Sequence, residues 1–328
     1  NCLGTMASMF GDVPYSEALN VTEFPNPIYD SQEQLYATIQ QLLIEGIQDV
    51  DAAESVFSPG EDDRIYFGDL SKWRKAAYIL RARYQLHLVK QNGGNPASAL
   101  SDMQSAFGSS SDDLTYQPLG ISADLNPIYA FFEDSPYMII DPKFDALIDS
   151  LNDPRADYLF DVIPFTGGQK KPGDHFASPM AGIPFATYVE QLFLIAECHL
   201  RLGDTPSAQS ALEDAVEESC DEIGAGAIEQ TAIDDYIVAE ATLNGDLEHD
   251  MEVLMIQKYI ALFTQLEPWT DFRRTGYPEL TPNEPGVSGV NPNGEIPRRL
   301  IYPQSERLYN TSVPLPIPTM QDRFWWDQ

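Results

Sequence analysis

The stretch YVEQLFLIAECHLRLGDTPSAQSALEDAVEE, residues 188–218, decides the fold. Its apolar first half, residues 188–202, predicts a helix. Gly203-Asp204 interrupts that helix, and Thr205-Pro206 begins a second one, with proline in the first turn, where its missing N–H costs nothing. Because the turn is so short, the two helices must be antiparallel neighbours, and the small residues of the second helix allow close approach.

The same arrangement occurs earlier in the chain. A helix that follows Asp69 carries one apolar stripe and stops at Gly93-Gly94, and another helix starts at Pro96. NPASAL, residues 95–100, and TPSAQSAL, residues 205–212, share one design. A repeated unit of helix, glycine turn and proline-started helix is typical of tetratricopeptide-like hairpins.

Two further helices are predicted by apolar periodicity at about residues 31–54 and 247–265, and a short one is predicted after Asp141-Pro142. Proline, glycine, aspartate and aromatic residues dominate the remaining segments. We interpret these segments as ordered loops, because so many aromatic residues are wrong for a disordered linker. The sequence therefore predicts one all-α-dominated domain over residues 1–328, with helical hairpins at approximately 25–106 and 183–267, a loop-rich region at approximately 107–182 and an irregular C-terminal segment at 268–328.

Acidic residues dominate the charge of the chain, since 51 Asp and Glu against 19 Lys and Arg give a formal net charge of −32. Such a surface repels phosphate backbones and anionic headgroups, which argues against nucleic acid and membrane surfaces as ligands. Three cysteines cannot form a disulfide framework. The chain starts at Asn1 without a basic start or an apolar signal core, so we expect its true beginning to lie upstream.

The sequence contains none of the common catalytic motifs: G-x-S-x-G, H-E-x-x-H and the glycine-rich phosphate and dinucleotide loops do not occur. Its four histidines, His87, His175, His199 and His249, show no ligand spacing. A glycoside hydrolase needs only two carboxylates at the right separation, which a sequence cannot show, so that class stays open as an alternative. A helical-repeat scaffold for protein partners is another.

Eight short segments form a recognisable set in a fixed order. They are FGDVPYSEAL (10–19), YDSQE (29–33), GDLSKW (68–73), QK (257–258), WTDFRRTGYP (269–278), IPRRL (296–300), YPQSE (302–306) and WWD (325–327). In this order they resemble the SusD/RagB family over nearly the whole chain.

The resemblance implies a right-handed tetratricopeptide-like frame with a loop-rich, ligand-binding half. It also implies non-catalytic binding of polysaccharide or oligosaccharide at the outer-membrane surface, with delivery to a SusC-like TonB-dependent transporter. A peptide-binding receptor of the same family is the first alternative. The family's lipidated cysteine lies well upstream of the segment that GDVPY (11–15) resembles, so Cys2 is too close to be the anchor. We expect a lipid anchor on the extracellular face, through a residue upstream of this chain.

Aromatic residues concentrate in the loop after the first helical hairpin, and we place the ligand site there. Aromatic faces cover the apolar side of sugar rings, while amides and hydroxyls hold the sugar hydroxyls. One stacked ring supplies roughly 1.5 kcal/mol and millimolar affinity requires about 4 kcal/mol, so two or three rings are needed. For Phe131 and Phe132, plugging the loop onto the frame is an equal alternative. The predicted site residues are Asn126, Tyr129, Phe131, Phe132, Tyr137, Arg155, His175 and Phe176.

Charged motifs outside this loop are interpreted as structural. Arg273-Arg274, and Arg298-Arg299 before Glu306, have acids within their own segments, so we expect ion pairs that hold the C-terminal loops rather than an anion clamp. Asp62-Asp63 and Asp112-Asp113 have ligand types that suit a structural calcium ion, although solvated loop charge is the expected state. No other cofactor is predicted.

Overall fold

The computed structural model describes residues 1–52, 55, 57–91, 93–134, 139–282 and 295–328. Within them the regular structure is almost entirely helical, which confirms the predicted helix-dominated class. The helices are α1 (Cys2–Phe10), α2 (Gln32–Val50), α3 (Leu70–Leu86), α4 (Pro96–Met103), α5 (Pro127–Asp134), α6 (Pro142–Ser150), α7 (Ala156–Leu159), α8 (Asp174–Ala177), α9 (Tyr188–Leu202), α10 (Thr205–Ile223), α11 (Gln230–Glu240), α12 (Leu247–Ala261), α13 (Glu267–Thr275) and α14 (Gln304–Tyr309). The strands form two antiparallel pairs, β1 (Leu114–Tyr116) with β4 (Ile183–Ala186), and β2 (Phe160–Val162) with β3 (Lys170–Pro172).

Local sequence signals start the frame helices where they were predicted. Ser31 begins α2 with a capping box, in which its hydroxyl accepts from the Gln34 N–H and the Gln34 side chain accepts from the Ser31 N–H. Asp69 begins α3 by accepting from the N–H groups of Ser71 and Lys72. These contacts satisfy backbone donors that every helix start leaves unpaired.

The hairpin of α9 and α10 turns on Gly203, whose φ of 79° lies in the left-handed region that favours glycine. Asp204 then begins α10 by accepting from the Ser207 N–H at 3.2 Å. Ala208 and Ala215 of α10 are fully buried in the core that α10 shares with α9. The predicted antiparallel hairpin with small interface residues is confirmed.

The hairpin of α3 and α4 has the same build. Asn95 accepts from the Ser98 N–H, and Pro96 occupies the first turn of α4. Gly94 lies so close to Leu88 that a Cβ there would come within 2.2 Å of the Leu88 carbonyl oxygen. Both α3 and α4 pack on α9, so the two hairpins form one frame.

Three hydrophobic cores connect the frame and the loops. One is built around α2, α3 and α4, and a second around α9, α10, α11 and α12. The third lies under the loop region, where the rings of Phe144, Phe160 and Phe176 pack around Phe263 with centroids 5.1, 5.9 and 5.1 Å away. Aromatic packing therefore fixes the loops to the frame, as expected for ordered loops.

The structure adds helices that the sequence patterns did not predict, including α1, α5, α11 and α13. Helix α11 buries only Ile233 and Tyr236, which is too few residues for a visible apolar stripe. The C-terminal segment, expected to be irregular, begins inside α13, because Pro268 suits a first turn and Gly276, with φ of 91°, ends the helix.

Arginines hold the C-terminal segment in place, as predicted, but most of their partners are not the acids of their own segments. Arg273 donates to the carbonyl oxygen of Arg298 at 3.0 Å. Arg298 pairs with Asp327 at 2.6 Å rather than with Glu306. The Glu306 carboxylate instead accepts from the Tyr29 hydroxyl at 2.9 Å. Partners that are distant in sequence thus supply contacts that the motifs alone do not reveal.

A buried ion network links helices α9, α12 and α13. Glu197 of α9 accepts from both terminal nitrogens of Arg274 on α13 and from Arg201 Nε at 2.7 Å. Arg274 also donates to Asp271 at 2.6 Å, and Asp271 pairs with Lys258 of α12 at 2.8 Å. All of these side chains except Arg201 are almost completely buried.

Candidate ligand-binding cavity

A cavity of about 870 Å³ lies between the loop region and the frame. This volume falls within the range usual for small-molecule sites. The β1–β4 pair contributes Thr115 to the lining, α5 contributes Ile128, α8 contributes His175, and α10 contributes Glu222. The segment between α12 and α13, which includes Gln265, completes it. The predicted loop region therefore does form one side of a cavity.

Asn126 positions α5 at the cavity. Its Oδ1 accepts from the N–H groups of Ile128 at 2.8 Å and Tyr129 at 3.1 Å, and its Nδ2 donates to the carbonyl oxygen of Ala181 at 3.1 Å. Asn126 lines the cavity but is almost completely buried. Its amide is therefore engaged by the protein, in place of the direct sugar contact proposed from the sequence.

Helix α5 presents apolar side chains without burying any of its residues. Ile128 lines the cavity, and Phe131 and Phe132 follow at the i+3 and i+4 positions, so all three share one helix face. Phe131 is 49% exposed, so it does not plug the loop onto the frame. Tyr129 is half-buried on a neighbouring face. Tyr137, also predicted for the site, lies outside the described residues.

His175 and Phe176 of α8 both line the cavity, but they differ in exposure. The His175 ring is exposed and meets the Phe176 ring edge to face, with centroids 4.6 Å apart. Neighbouring protein atoms nevertheless displace part of the solvent around the imidazole, and this partial desolvation lowers the pKa of His175. Phe176 is buried and packs on Phe263, so it supports the cavity from the core.

Arg155 does not line the cavity, contrary to its predicted place on the far side of the ligand site. It is completely buried and pairs with Asp153 at 2.6 Å. It also donates to Ser219 at 3.0 Å and to Gln257 at 3.1 Å. Burial alone would raise the pKa of Asp153, but the Arg155 guanidinium holds that pKa below its usual value. Arg155 is thus a core ion-pair residue, because a charge without solvent must have partners.

Two carboxyl groups that sequence reasoning did not place in the site line the cavity. Burial raises the pKa of Asp113 to about 8, even though its Oδ1 accepts from the Tyr188 N–H at 2.7 Å. Burial also raises the pKa of Glu222, and Glu218 adds to the effect. In the sequence, Asp113 stands out only as half of an aspartate pair. Glu222 has no sequence signal, because its neighbours in the cavity come from distant segments.

Arg83 lines the cavity with its charge already neutralised. Its Nε donates to Glu190 at 2.6 Å, and its Nη2 donates to the Phe185 carbonyl oxygen at 2.8 Å. Glu267, also on the lining, lies 3.0 Å from the His87 ring. Burial opposes ionisation of Glu267, but His87 and Arg83 bring its pKa below the usual value. This part of the wall is therefore a fixed ion network.

In the aspartate pairs considered as calcium ligands, carboxylates accept hydrogen bonds from donors of the protein itself. Asp63 accepts from the Gly68 N–H at 3.1 Å and from the Trp73 indole at 2.7 Å. Asp112 accepts from Lys75 at 2.7 Å. Among the described residues, no group of three or more His, Cys, Asp or Glu is placed to hold a metal ion. Calcium at these pairs stays an untested alternative, and the expected solvated loop charge is replaced at Asp63 and Asp112 by contacts with protein donors.

The fold and the cavity define a helical-repeat protein that carries a loop-walled cleft on its frame. The chain belongs to the SusD/RagB family: residues 2–303 match the SusD-like family model described as starch-binding and associating with the outer membrane. The family is thus associated with the outer membrane, while no helix in the described part of the chain has the length and apolar character needed to cross one. None of the curated proteins matches this chain.

Solved structures of the same family share the fold. A SusD homologue from Bacteroides fragilis superimposes with a TM-score of 0.81 at 21% identity, covering 99% of this chain and 81% of that one. A chitin-binding SusD homologue from Flavobacterium johnsoniae gives 0.79 at 23% identity, with 99% and 78% covered. A SusD homologue from Bacteroides thetaiotaomicron gives 0.77 at 22% identity, with 99% and 80% covered. These likenesses confirm the tetratricopeptide-like helical fold.

Proposed function

We propose that this protein binds oligosaccharide in the loop-walled cavity without turning it over, and delivers it at the outer-membrane surface to a SusC-like TonB-dependent transporter. The observation that carries the proposal is the unburied apolar face of α5, a helix that lines the cavity through Ile128. The family description as starch-binding and the chitin-binding relative support a carbohydrate as the ligand class.

The cavity offers both kinds of contact that a sugar requires. The face of α5 bearing Phe131 supplies an apolar platform for sugar rings. Thr115, the amide oxygen of Gln117 and Asp113, whose pKa is raised to about 8, supply hydroxyl, amide and carboxyl groups to the lining, where they can exchange hydrogen bonds with sugar hydroxyls. Two or three stacked aromatic rings, together with their polar partners, suffice for millimolar affinity, which corresponds to about 4 kcal/mol.

Non-catalytic binding is favoured over hydrolysis because the lining carboxylate with a lowered pKa, Glu267, is already engaged by His87 and Arg83. A glycosidase pairs a protonated acid with an ionised carboxylate, so the environments of the two must push their pKa values apart. Burial raises the pKa of both Asp113 and Glu222. Both of these pKa values are raised, whereas Glu267, a lining carboxyl whose pKa is lowered, already contacts His87 at 3.0 Å and lies 3.9 Å from Arg83.

Binding is tested first on a glycan and peptide array, and then by calorimetry with any glycan that the protein retains. Phe131→Ala should weaken binding by roughly 1 to 2 kcal/mol, because one stacked ring is lost. The matched control is Tyr309→Ala, which removes another exposed aromatic residue, 78% exposed, from α14, a helix with no described residue on the cavity lining, whereas α5 contributes Ile128 to that lining.

Equal affinity of the Phe131→Ala and Tyr309→Ala variants would place the ligand site elsewhere. Selective retention of peptides on the array would favour the peptide-receptor alternative. Incubation of the retained glycan with pure protein should release no shorter product. Release above a heat-killed control would favour the hydrolase.

The proposed membrane anchoring and transporter partnership are tested on the precursor. We expect a signal peptide and a lipid-attachment cysteine upstream of Asn1, and co-purification with a TonB-dependent barrel from outer membranes. A mature chain recovered without a lipid from the natural membrane would contradict anchoring, and its release from the barrel under mild detergent would contradict the partnership.

A further inference from the structure

A second cavity, of about 540 Å³, lies where α2 ends, α3 begins and α4 ends. It shares no lining residue with the first cavity. Its polar lining includes Asp51 from the end of α2, Arg74 and Lys75 from α3, and Gln104 and Ser105 from the end of α4. Two basic side chains therefore face one cavity on a chain whose formal net charge is −32.

Arg74 is only weakly engaged by the protein. Its Nε lies 3.4 Å from Asp51 Oδ1, and its guanidinium lies 5.9 Å from the centre of the Tyr78 ring. The Arg74 side chain is 46% exposed. A guanidinium carries five N–H donors, and its planar edge fits the paired oxygens of a carboxylate or sulfate. Most of that donor capacity remains for a ligand.

Lys75 supplies the second positive charge. Its Nζ lies 2.7 Å from Asp112 Oδ2, and the same oxygen accepts from the Gly108 N–H at 2.8 Å. Burial alone would raise the pKa of Asp112, but the Lys75 ammonium and the Gly108 N–H lower it. One carboxylate uses one of the three ammonium protons, so two donors remain on Lys75.

The start of α3 is not itself the donor at this cavity. The carboxylate of Asp69 already accepts from the N–H groups of Ser71 and Lys72. Side-chain donors therefore decide what the cavity can hold. Arg74 and Lys75 favour an anion, and the amide of Gln104 and the hydroxyl of Ser105 add neutral donors beside them.

We propose that this second cavity binds a small anionic group, the carboxylate or sulfate ester of an acidic sugar. A structural explanation competes with this one: basic side chains also stabilise the carbonyl ends of helices, and both α2 and α4 end here. The two explanations differ in outcome, since a purely structural role leaves no saturable affinity for anions.

Calorimetric titration separates them, with glucuronate and glucose 6-sulfate as the anionic probes and glucose as the neutral one. Both anions should bind saturably while glucose does not, and binding should weaken when salt rises from about 20 mM to about 200 mM, because the contact is electrostatic. Preference for one anion over the other identifies carboxylate or sulfate as the group recognised.

Arg74→Gln should weaken anion binding at least about five-fold, since it removes the bidentate contact. The matched control is Arg64→Gln: Arg64 has the same 46% side-chain exposure and a partner 4.0 Å away in Asp124, and it lines neither cavity. Lys75→Gln should weaken binding too, but it leaves buried Asp112 unpaired, so its fold is checked by circular dichroism. Absence of saturable binding to the wild-type protein, unchanged affinity in Arg74→Gln, or equal loss in Arg64→Gln would overturn the proposal.

Discussion

Glu197→Gln should destabilise the protein strongly, because it removes one charge from the buried ion network. Glu197 and Asp271 bring two negative charges to this network, and Arg201, Lys258 and Arg274 bring three positive ones. Among the described residues, the substitution leaves the buried Arg274 guanidinium with Asp271 as its remaining carboxylate partner. Removing one partner of a buried pair costs about 3 to 5 kcal/mol, since the remaining charge stays without solvent. We expect a loss of that size.

The loss should depend on pH with a definite sign. Burial opposes ionisation of Glu197, but Arg274 and Arg201 lower its pKa well below the usual value. A carboxyl group with a lowered folded-state pKa contributes stability above its unfolded pKa of about 4.3, and that stability disappears as the pH falls through the folded pKa. The difference between wild type and Glu197→Gln should therefore be full at neutral pH and shrink below about pH 4.

Urea unfolding followed by circular dichroism measures both effects. The control is Glu213→Gln on α10, where an exposed carboxylate accepts from the neighbouring Gln209 side chain at 2.9 Å. That control should change the free energy of unfolding by less than about 0.5 kcal/mol. A loss below about 1 kcal/mol for Glu197→Gln, or a difference that grows on acidification, would refute the role assigned to the network.

Two further substitutions test the cavity and the packing of α1. Burial raises the pKa of Asp113 to about 8, so the free energy of unfolding of the wild-type protein should fall as the pH rises from about 4 to about 8. Over this range the carboxyl is ionised in the unfolded chain but not yet in the folded one. Asp113→Asn should therefore gain about 1 to 3 kcal/mol at about pH 9 in urea unfolding, and lower stability there would contradict it. Gly4→Ala would place a Cβ 2.1 Å from the buried Tyr84 ring and should cost about 1 to 3 kcal/mol. The control is Gly46→Ala in α2, where a Cβ would meet nothing within 4 Å beyond its own stretch of helix, and it should be neutral or stabilising in thermal melts.

The frame could be predicted from the sequence because its signals are local. Ser31, Asp69 and Asp204 each begin a helix by bonding to an N–H group two or three residues ahead. Gly203 ends α9 through its own backbone angle. Each of these contacts lies within one helical turn, so the residue and its partner are visible together in the sequence.

Helix α1 shows where such signals fail. It buries Gly4, Ala7 and Ser8, which are small residues that let the helix approach its neighbours closely. Small residues form no apolar stripe, so periodicity does not reveal the helix. Its place in the fold depends on Tyr84, a residue of α3 far along the chain.

The candidate site was harder to predict than the frame because burial, not residue type, decided its members. Asn126, Arg155 and Phe176 have side chains suited to sugar contact, but the structure engages all three within the protein. Asp113 and Glu222 line the cavity through segments that meet only in the folded chain. Density of aromatic residues directed the prediction to a region that forms part of the cavity wall, and it could not rank the residues within it.

The two cavities differ in the charge they can accept, which makes the two proposals separable. The first is lined by Asp113 and Glu222, and its one arginine, Arg83, is already neutralised by Glu190. A sugar carboxylate placed there meets carboxyl groups and, among the described lining residues, no lysine or arginine that lacks an ion pair, whereas Arg74 in the second cavity keeps donors for it. Loss of neutral-glycan binding in Phe131→Ala and loss of anion binding in Arg74→Gln therefore report on different chemistry, and either can occur without the other.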